Sequence, residues 1–205
     1  NKFKFLNLDI NDLRILKKIK NNKIDYIVHL AAQAGVRHSI ENPDKYFDNN
    51  IKGFYNMLKA AVDKKVKHFI YASSTQAASN SLYGKSKKKA ENFLKNFAKK
   101  NQSMVSIYRM PGIFGKWCKP NYNSVVATFC HQLSNKETPK IEVDGELKLV
   151  YVDELVDCII DCIDRKTNKE KYIVKHTSEI KVSEILKLLQ NFKTLYQDSG
   201  EIPIL

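Results

Sequence analysis

The sequence lacks both long hydrophobic runs and paired cysteines. No stretch reaches the ~18 uninterrupted apolar residues of a membrane helix, and no long apolar segment follows the lysines near the start of the chain. The four cysteines show no CxxC spacing, and the adjacent Cys130 and His131 alone make a poor zinc site. We therefore expect a cytoplasmic protein with reduced thiols, without a metal site and without a membrane partner.

Acidic residues are too few to balance the basic ones, which leaves a formal net charge of +13. A focused basic surface would supply affinity for the phosphates of nucleic acid. Here the lysines are scattered, and their densest run, Lys85 with Lys87 to Lys89, lies on a predicted helix that exposes most of it. We expect no nucleic-acid partner. The alternative, RNA binding, would require salt-sensitive retention of nucleic acid.

Short apolar runs alternate with longer amphipathic ones, which is typical of a parallel sheet covered by helices on both faces. Residues 26–31 and 68–72 are nearly continuous hydrophobic runs, as expected for strands buried on both faces. The predicted strands are 3–8, 26–31, 68–72 and 105–109. The predicted helices are 11–20, 44–64, 83–100, 124–134, 153–165 and 182–192, with shorter mixed elements in the later part.

Glycine is scarce, with seven among 205 residues, and neither GxGxxG nor GxxGxxG occurs. A dinucleotide-binding fold begins with a strand, a Gly-rich turn and a helix whose N–H groups hold the pyrophosphate. Either the chain binds no dinucleotide, or its first βαβ unit lies upstream of Asn1, as the strand-like start at residues 1–6 favours. The fold prediction is an α/β protein with a Rossmann-like, doubly wound parallel sheet that lacks this first unit, and with a small mixed cap. Residues 1–110 would form part of the dinucleotide-binding domain, and residues 111–205 mainly a substrate-binding cap with elements returning to the sheet.

Tyr83 and Lys87 lie four residues apart on a predicted helix, so their side chains share one face. A lysine ammonium close to a tyrosine favours the phenolate, which suits proton transfer at a carbonyl oxygen while a nicotinamide exchanges hydride with the carbon. The buried strand 68–72 ends just before Ser74, and ligands bind at the carboxyl ends of such strands. We predict that Ser74 donates a hydrogen bond to the carbonyl oxygen. For Ser74 alone, capping of a turn is an equally good interpretation.

A second YxxxK match, from Tyr55 to Lys59, lies in the middle of the predicted helix 44–64. No hydroxyl-bearing strand end precedes it. Ten tyrosines in so lysine-rich a chain produce such a match by chance. We interpret this second match as carrying no chemistry.

Several segments together resemble the extended short-chain dehydrogenases, notably the uronate-type sugar-nucleotide epimerases. Residues 26–39, YIVHLAAQAGVRHS, resemble that family's fourth-strand segment, and residues 50–58, NIKGFYNML, resemble its following helix. The resemblance extends from residue 1 to about residue 195 and implies an NAD- or NADP-dependent enzyme acting on a nucleotide sugar, with Asn50 supporting the site. The catalytic residues that it implies are Ser74, Tyr83 and Lys87. The implied cofactor contacts are Asp9, Ile10, Leu30, Ala31, Ala32, Tyr83, Lys87 and Pro111.

A longer match in residues 108–131, which contain the segment WCKPNYNS, is similar to the reductase domain of capsular-polysaccharide enzymes that act on UDP-2-acetamido-2,6-dideoxy-hexos-4-uloses. The short interval from Ser74 to Tyr83 agrees with that subgroup, as does Leu147 where epimerases place a substrate-binding arginine. The resemblance implies NADPH-dependent reduction of a UDP-4-keto-6-deoxy-hexosamine. The substrate contacts that it implies are Arg37, Thr75, Trp117, Lys119, Asn121 and Asn123. Core packing remains an alternative for Trp117, and a solvated surface for Arg37.

Gly112 departs from these families, which place a substrate-contacting asparagine there, and nothing in the 205 residues corresponds to the cupin domain into which the capsular enzymes usually continue. Residues 31–39 leave open a second activity, nucleotide-sugar 4-epimerisation. A non-catalytic fragment or pseudoenzyme is the alternative of another class, and we expect the 205 residues alone to bind NAD(P)H weakly or not at all. For the full-length protein the resemblance implies a homodimer through the helices that begin near Asp44 and Tyr83.

Overall fold

The computed structural model of the protein describes residues 3–12, 14–19, 23–167 and 170–201. The chain forms two compact units, one of Asn1–Met110 with Lys166–Ile173 and one of Pro111–Arg165 with Val174–Leu205. No helix within the described ranges is long and apolar enough to cross a membrane.

A parallel sheet forms the centre of the first unit. Its four strands, numbered with the rest in chain order, lie side by side as β1 (Tyr26–His29), β2 (His68–Ser74), β3 (Met104–Met110) and β6 (Tyr172–Ile173). Tyr26 pairs with His68, and His68 pairs with Met104. Because all of these pairings are parallel, the carboxyl ends of the strands meet at one edge of the sheet, and that edge carries Ser74.

Five helices of the described chain belong to this unit, one before β1 and the others between its strands. They are α1 (Arg14–Lys18), α2 (Val36–Glu41), α3 (Pro43–Tyr46), α4 (Phe54–Asp63) and α5 (Leu82–Asn101). A π-helical segment, Phe47–Gly53, joins α3 to α4, and a 3₁₀ turn, Thr75–Ala78, follows β2. The single predicted helix 44–64 is therefore three consecutive segments, in which the winding changes from α to π at Phe47 and back to α at Phe54.

Helix α5 carries the predicted catalytic tyrosine and lysine. Ser81 caps its first turn by accepting a hydrogen bond from the N–H of Gly84 at 3.0 Å. Gln102, in the left-handed conformation with φ of 51°, ends the helix. The apolar face of α5 packs in a core that includes Phe54, Leu58, Phe69, Ala90, Leu94 and Ile107.

The described part of the second unit contains a smaller mixed sheet, three α-helices and a π-helical segment, Lys193–Asp198, after the last of them. Its strands lie in the order β4 (Gly112–Phe114), β5 (Glu146–Tyr151) and β7 (Ser178–Lys181), with β4 parallel and β7 antiparallel to β5. Its helices are α6 (Val125–Ser134), α7 (Val152–Asp164) and α8 (Val182–Phe192). Phe129, Leu149, Val182 and Ile185 form its buried core.

The predicted α/β fold on a parallel sheet is confirmed, as are the strands 68–72 and 105–109 and the helix 182–192, within a residue or two at most ends. The predicted strand 26–31 is shorter and ends at His29. The predicted helix 11–20 corresponds to the shorter α1, and residue 20 lies outside the described residues.

The prediction of a strand at residues 3–8 is wrong. The described chain shows no strand pairing for these residues, and the side chains of Phe3 and Phe5 are exposed. A strand requires a neighbour for its backbone N–H and C=O groups. Within the described residues β1 pairs only with β2, so an apolar composition alone does not produce a strand here.

Candidate active site

Ser74 is the last residue of β2 and the N-cap of the 3₁₀ turn. Its Oγ accepts a hydrogen bond from the N–H of Gln76 at 3.1 Å. A hydroxyl that accepts one hydrogen bond still has its own hydrogen to donate. Both interpretations of this serine are therefore compatible, since it caps the turn and presents a donor at the carboxyl end of the strand.

Tyr83 and Lys87 lie in the first turns of α5, and the structure brings their side chains together. The Nζ of Lys87 lies 5.9 Å from the centre of the Tyr83 ring and 5.1 Å from that of Tyr71. The same Nζ donates a hydrogen bond to the carbonyl oxygen of Ala72 at 2.9 Å. Lys87 is only 4% exposed, so its ammonium group is held in one place by a carbonyl oxygen and aromatic faces.

Burial lowers the pKa of Lys87 to about 8, while the negative charge of Glu91 acts in the opposite direction. His29, at the end of β1, is also buried, and burial followed by the charge of Lys87 lowers its pKa to about 4. At neutral pH the site therefore contains a charged lysine beside an uncharged histidine. A cation at this position can stabilise a developing phenolate on a neighbouring tyrosine.

Asn50 lies in the π-helical segment and is buried. Its Nδ2 donates to the Gln33 carbonyl oxygen and to the Ser86 Oγ, both at 3.0 Å, and its Oδ1 accepts from the Gln33 N–H at 2.7 Å. The Ser86 Oγ in turn donates to the carbonyl oxygen of Tyr83 at 2.8 Å. Asn50 thus connects the segment after β1 to the first turns of α5, and π-helical turns are frequent at functional sites.

The predicted cofactor contacts lie in the first unit, except Pro111, which belongs to the second. Leu30 follows β1 and is 63% exposed, and Ala31 is exposed beside it. Asp9 accepts a hydrogen bond from the Asn11 N–H at 2.7 Å, and Ile10 approaches Gly53. Leu30 and Ala31 follow His29, whose ring contacts Tyr71, and the Lys87 ammonium lies over the same tyrosine ring. An exposed apolar segment that continues from such a strand end fits the nicotinamide riboside end of a dinucleotide. The 205 residues contain no Gly-rich turn to fit its pyrophosphate.

The predicted substrate contacts are divided between the two units. Arg37 and Thr75 are exposed in the first unit. The Nε of Arg37 lies 3.9 Å from the Oε1 of Glu41, and both residues are on α2. Lys119, Asn121 and Asn123 are exposed in the second unit. Trp117 is 100% exposed, with φ of 64°, so the interpretation of this residue as core packing is wrong.

Trp117 lines a cavity of about 470 Å³ in the second unit. Phe114 and Tyr151 line it as well, and so do Cys118, Cys130 and His131. Partial burial of the thiol raises the pKa of Cys130, which favours its protonated form at neutral pH. Among the described residues, no cluster of His, Cys, Asp and Glu side chains could hold a metal ion.

A buried ionic network next to the predicted catalytic side chains was missed from the sequence. The carboxylate of Glu91 accepts hydrogen bonds from Ser73 Oγ at 2.7 Å and from Arg109 Nε and Nη2 at 2.8 and 2.7 Å. One signal was available, because Glu91 follows Lys87 by four residues and so continues the row that Tyr83 begins. Arg109 offered no such signal within its strand.

The chain is similar to known proteins over most of its length. The model of the NAD dependent epimerase/dehydratase family matches residues 1–174. A UDP-2-acetamido-2,6-beta-L-arabino-hexul-4-ose reductase of Pseudomonas aeruginosa is 34% identical over 173 residues, which are 83% of this chain and 45% of the relative. The crystal structure of the capsular polysaccharide assembling protein CapF of Staphylococcus aureus superposes with a TM-score of 0.74 at 32% identity, over 91% of this chain and 49% of that one. The chain therefore spans about half the length of both relatives.

A more distant structure shows the fold alone. UDP-glucose 4-epimerase of Thermotoga maritima, crystallised with UDP-glucose, superposes with a TM-score of 0.83 at 23% identity. The superposition covers 92% of this chain and 67% of the epimerase. The chain thus shares its fold with a solved structure over most of its length.

Proposed function

This chain belongs to the NAD dependent epimerase/dehydratase family, and we propose that it forms part of an NAD(P)-dependent oxidoreductase that reduces the 4-keto group of a UDP-4-keto-6-deoxy-hexosamine. The observation that carries the proposal is the position of Lys87, whose buried ammonium lies beside Tyr83 at the strand edge that ends in Ser74. The 34% identity to a reductase of such a sugar supports this substrate class.

The proposed chemistry assigns one task to each side chain. Tyr83 donates its hydroxyl proton to the carbonyl oxygen at C4, and Ser74 donates a hydrogen bond to the same oxygen. Lys87 stabilises the tyrosinate that remains and binds the ribose next to the nicotinamide. When bound, the reduced nicotinamide supplies the hydride that C4 receives. One proton and one hydride convert the ketone to an alcohol, so the step is balanced.

The contacts predicted from the sequence complete the proposal. Asp9, Ile10, Leu30, Ala31, Ala32 and Pro111 would contact the cofactor, and Arg37, Thr75, Trp117, Lys119, Asn121 and Asn123 the UDP-sugar. The similarity of residues 108–131 to the capsular reductases supports NADPH rather than NADH as the reductant. Full exposure of Trp117 beside a cavity supports its assignment to a ligand rather than to the core.

A homodimer through α4 and α5 and a cytoplasmic location belong to the same proposal. Tyr55, Val62 and Leu82 expose large apolar side chains on these two helices, and a groove of about 310 Å³ runs between them. Apolar exposure of this kind is typical of an interface between subunits. The cytoplasm contains the reduced nicotinamide that the reaction consumes.

Nucleotide-sugar 4-epimerisation is the second candidate, favoured by the segment AAQAGVRHS at residues 31–39. The two activities differ in redox balance. A reductase consumes one NADPH for each sugar, whereas an epimerase retains its cofactor and consumes none. Incubation of the full-length protein with the UDP-4-keto sugar and NADPH distinguishes them, since epimerisation would leave the NADPH absorbance constant.

Tyr83→Phe in the full-length protein tests the catalytic assignment. Loss of the proton donor is expected to reduce kcat about 100-fold or more. The matched control is Tyr55→Phe, which changes the first residue of the other YxxxK match and should leave kcat unaltered. Turnover of the Tyr83 variant within a few-fold of the wild type would refute Tyr83 as the acid.

A further inference from the structure

Glu91 continues the row of catalytic side chains along α5. Tyr83, Lys87 and Glu91 follow one another at intervals of four residues, which places them on the same helix face. Glu91 is only 1% exposed. An ionised carboxylate at such a depth is stable only if hydrogen bonds and an opposite charge compensate for the lost water.

The partners of Glu91 come from two strands. Ser73 of β2 donates to its Oε1, and Arg109 of β3 holds both carboxylate oxygens in a two-point ion pair. Ser73 is the immediate neighbour of Ser74, and Ala72 on its other side accepts the hydrogen bond of Lys87. One carboxylate therefore fixes the helix that carries Tyr83 and Lys87 to the strand that carries Ser74.

The charge of Glu91 also affects the lysine one turn away. Burial lowers the pKa of Lys87, and Glu91 is the group that opposes this effect. The other titratable groups around Lys87 are His29 on β1, Tyr71 on β2 and Tyr83 on α5. His29 is uncharged at neutral pH, and burial raises the pKa of Tyr71 far above its usual value. Glu91 is thus the anionic neighbour that remains near Lys87 at neutral pH.

The carboxyl group of Glu91 is ionised in the folded protein. Burial alone would raise its pKa, but the hydrogen bonds from Arg109 and Ser73, together with the charges of Arg109 and Lys88, outweigh burial and lower the pKa. The exposed Lys88 Nζ lies 3.9 Å from this carboxylate. Arg109 has its own pKa raised by the hydrogen bond to Glu91.

We propose that Glu91, clamped by Ser73 and Arg109, is a positioning residue that aligns Lys87 with Ser74 and provides the countercharge for the buried Lys87 ammonium. The proposal rests on the proposed function only in naming Lys87 and Ser74 as catalytic. A buried ion pair that served stability alone could be replaced by apolar side chains at little cost. The link from Glu91 to both catalytic segments gives it a role that apolar side chains could not fill.

The test is an NMR titration of the lysine side chains in the full chain, with the Lys87 signal assigned from its absence in Lys87→Met. An unperturbed lysine in a model peptide titrates at about pH 10.4, so a signal with a midpoint near pH 8 is well separated from that value. In Glu91→Gln the Lys87 midpoint is expected to fall by about one pH unit or more, because an opposite charge one helix turn away is removed. Glu91→Asp, which retains the charge, should restore most of the midpoint.

A second variant covers the case in which Glu91→Gln does not fold. The double variant Glu91→Leu with Arg109→Leu removes the buried cation together with the anion, and such replacements are often tolerated. The comparison is with Arg109→Leu alone, because between these two variants the anion is the only charge removed, and the Lys87 midpoint must be lower in the double variant. A midpoint unchanged in folded Glu91→Gln, or equal in the double variant and in Arg109→Leu, would overturn the countercharge role.

The same variant tests the consequence for catalysis. In the full-length enzyme, Glu91→Gln should shift the alkaline limb of the kcat profile to lower pH, in parallel with the NMR midpoint, whereas a purely structural role would lower kcat equally at every pH. If Glu91→Gln lowers the Lys87 midpoint as expected but the full-length wild-type enzyme reduces no UDP-4-keto sugar, the proposed function is refuted. The effect of Glu91 on Lys87 then still stands. An equal loss of kcat at every pH would overturn the positioning role.

Discussion

At the scale of single residues, the buried Lys87 destabilises the folded state and has the catalytic role proposed above. Its ammonium group has exchanged water for one carbonyl oxygen and the faces of two aromatic rings. The resulting decrease of its pKa, from 10.5 to about 8, means that the folded state holds this proton less tightly than the unfolded state does. A pKa decrease of this size corresponds to about 3 kcal/mol against the charged form. The chain retains a lysine at this depth although an apolar residue would be more stable.

Replacement of this lysine should therefore stabilise the protein. We expect Lys87→Met to raise the free energy of unfolding at pH 7 by about 2 kcal/mol, since the relief of about 3 kcal/mol is partly offset by the lost hydrogen bond to Ala72. The unfolded chain binds more protons than the folded one between pH 8 and 10.5, so wild-type stability rises with pH across that range. The advantage of the variant should accordingly diminish towards pH 10.5.

Urea denaturation at pH 7 and pH 10 measures both effects. Lys85→Met is the matched control, because Lys85 lies two residues away on the same helix and is exposed. It should leave the free energy of unfolding within about 0.5 kcal/mol of the wild type. A Lys87 variant that is less stable than the wild type at pH 7 would contradict the desolvation argument.

At the scale of elements, the approach of α5 to the turn after β2 determines where Tyr83 stands relative to Ser74. Gly84 lies directly beside that turn, and a Cβ at this position would come within 2.2 Å of the Gln76 carbonyl oxygen and 2.5 Å of the Ser79 Oγ. The glycine of the YGKSK segment is therefore required by close approach and not by backbone conformation. It allows the first turn of the helix to pack against the segment that carries the serine.

Gly84→Ala should separate these two elements. The Gln76 oxygen belongs to the backbone and cannot rotate away, so we expect a loss of about 1–3 kcal/mol in the free energy of unfolding. We also expect a decrease in kcat without a comparable change in the affinity for NADPH. The control is Gly145→Ala, since no atom lies within 4 Å of the added Cβ there. Equal stability of the two alanine variants would show that the helix can shift without cost.

The elements also show what periodicity could predict. Strands β2 and β3 were predicted because both faces of each are buried, which leaves a continuous apolar run in the sequence. Residues 3–8 have a similar composition, yet they form no strand, because pairing depends on a neighbour that local sequence does not specify. The short strands β4, β6 and β7 contain two to four residues each, too few for any period to be recognised.

At the scale of the whole molecule, the proposed catalytic residues could be recognised in the sequence only where they share an element or adjoin one. The four-residue spacing of Tyr83 and Lys87 indicates that they share a helix face, and the position of Ser74 after an apolar run indicates a strand end. Glu91 and Arg109 could not be paired from the sequence, since they lie 18 residues apart on a helix and a strand. The ion pair arises because α5 packs on β3, which is a property of the assembled sheet.

Acid should act on the whole chain through its buried histidines. His29 is packed among the rings of Phe54, Phe69 and Tyr71, and burial lowers its pKa to about 4. His68 is fully buried, and burial lowers its pKa as well. Acid also removes the charges of the 22 acidic residues and leaves the 35 lysines and arginines to repel one another. All of these effects disfavour the folded state as the pH falls.

His29→Phe separates the histidine contribution from the repulsion. Between pH 6.5 and pH 4 the unfolded chain binds a proton that folded His29 does not, so wild-type stability falls as the pH is lowered through this range, by about 3 kcal/mol from this residue. The variant retains an aromatic ring in the cluster and cannot take up that proton. Its acid-unfolding midpoint, followed by circular dichroism, should lie at lower pH than that of the wild type. His131→Phe, at an exposed position on α6, should leave the midpoint unchanged, and identical midpoints for both variants would mean that His29 does not contribute to acid unfolding.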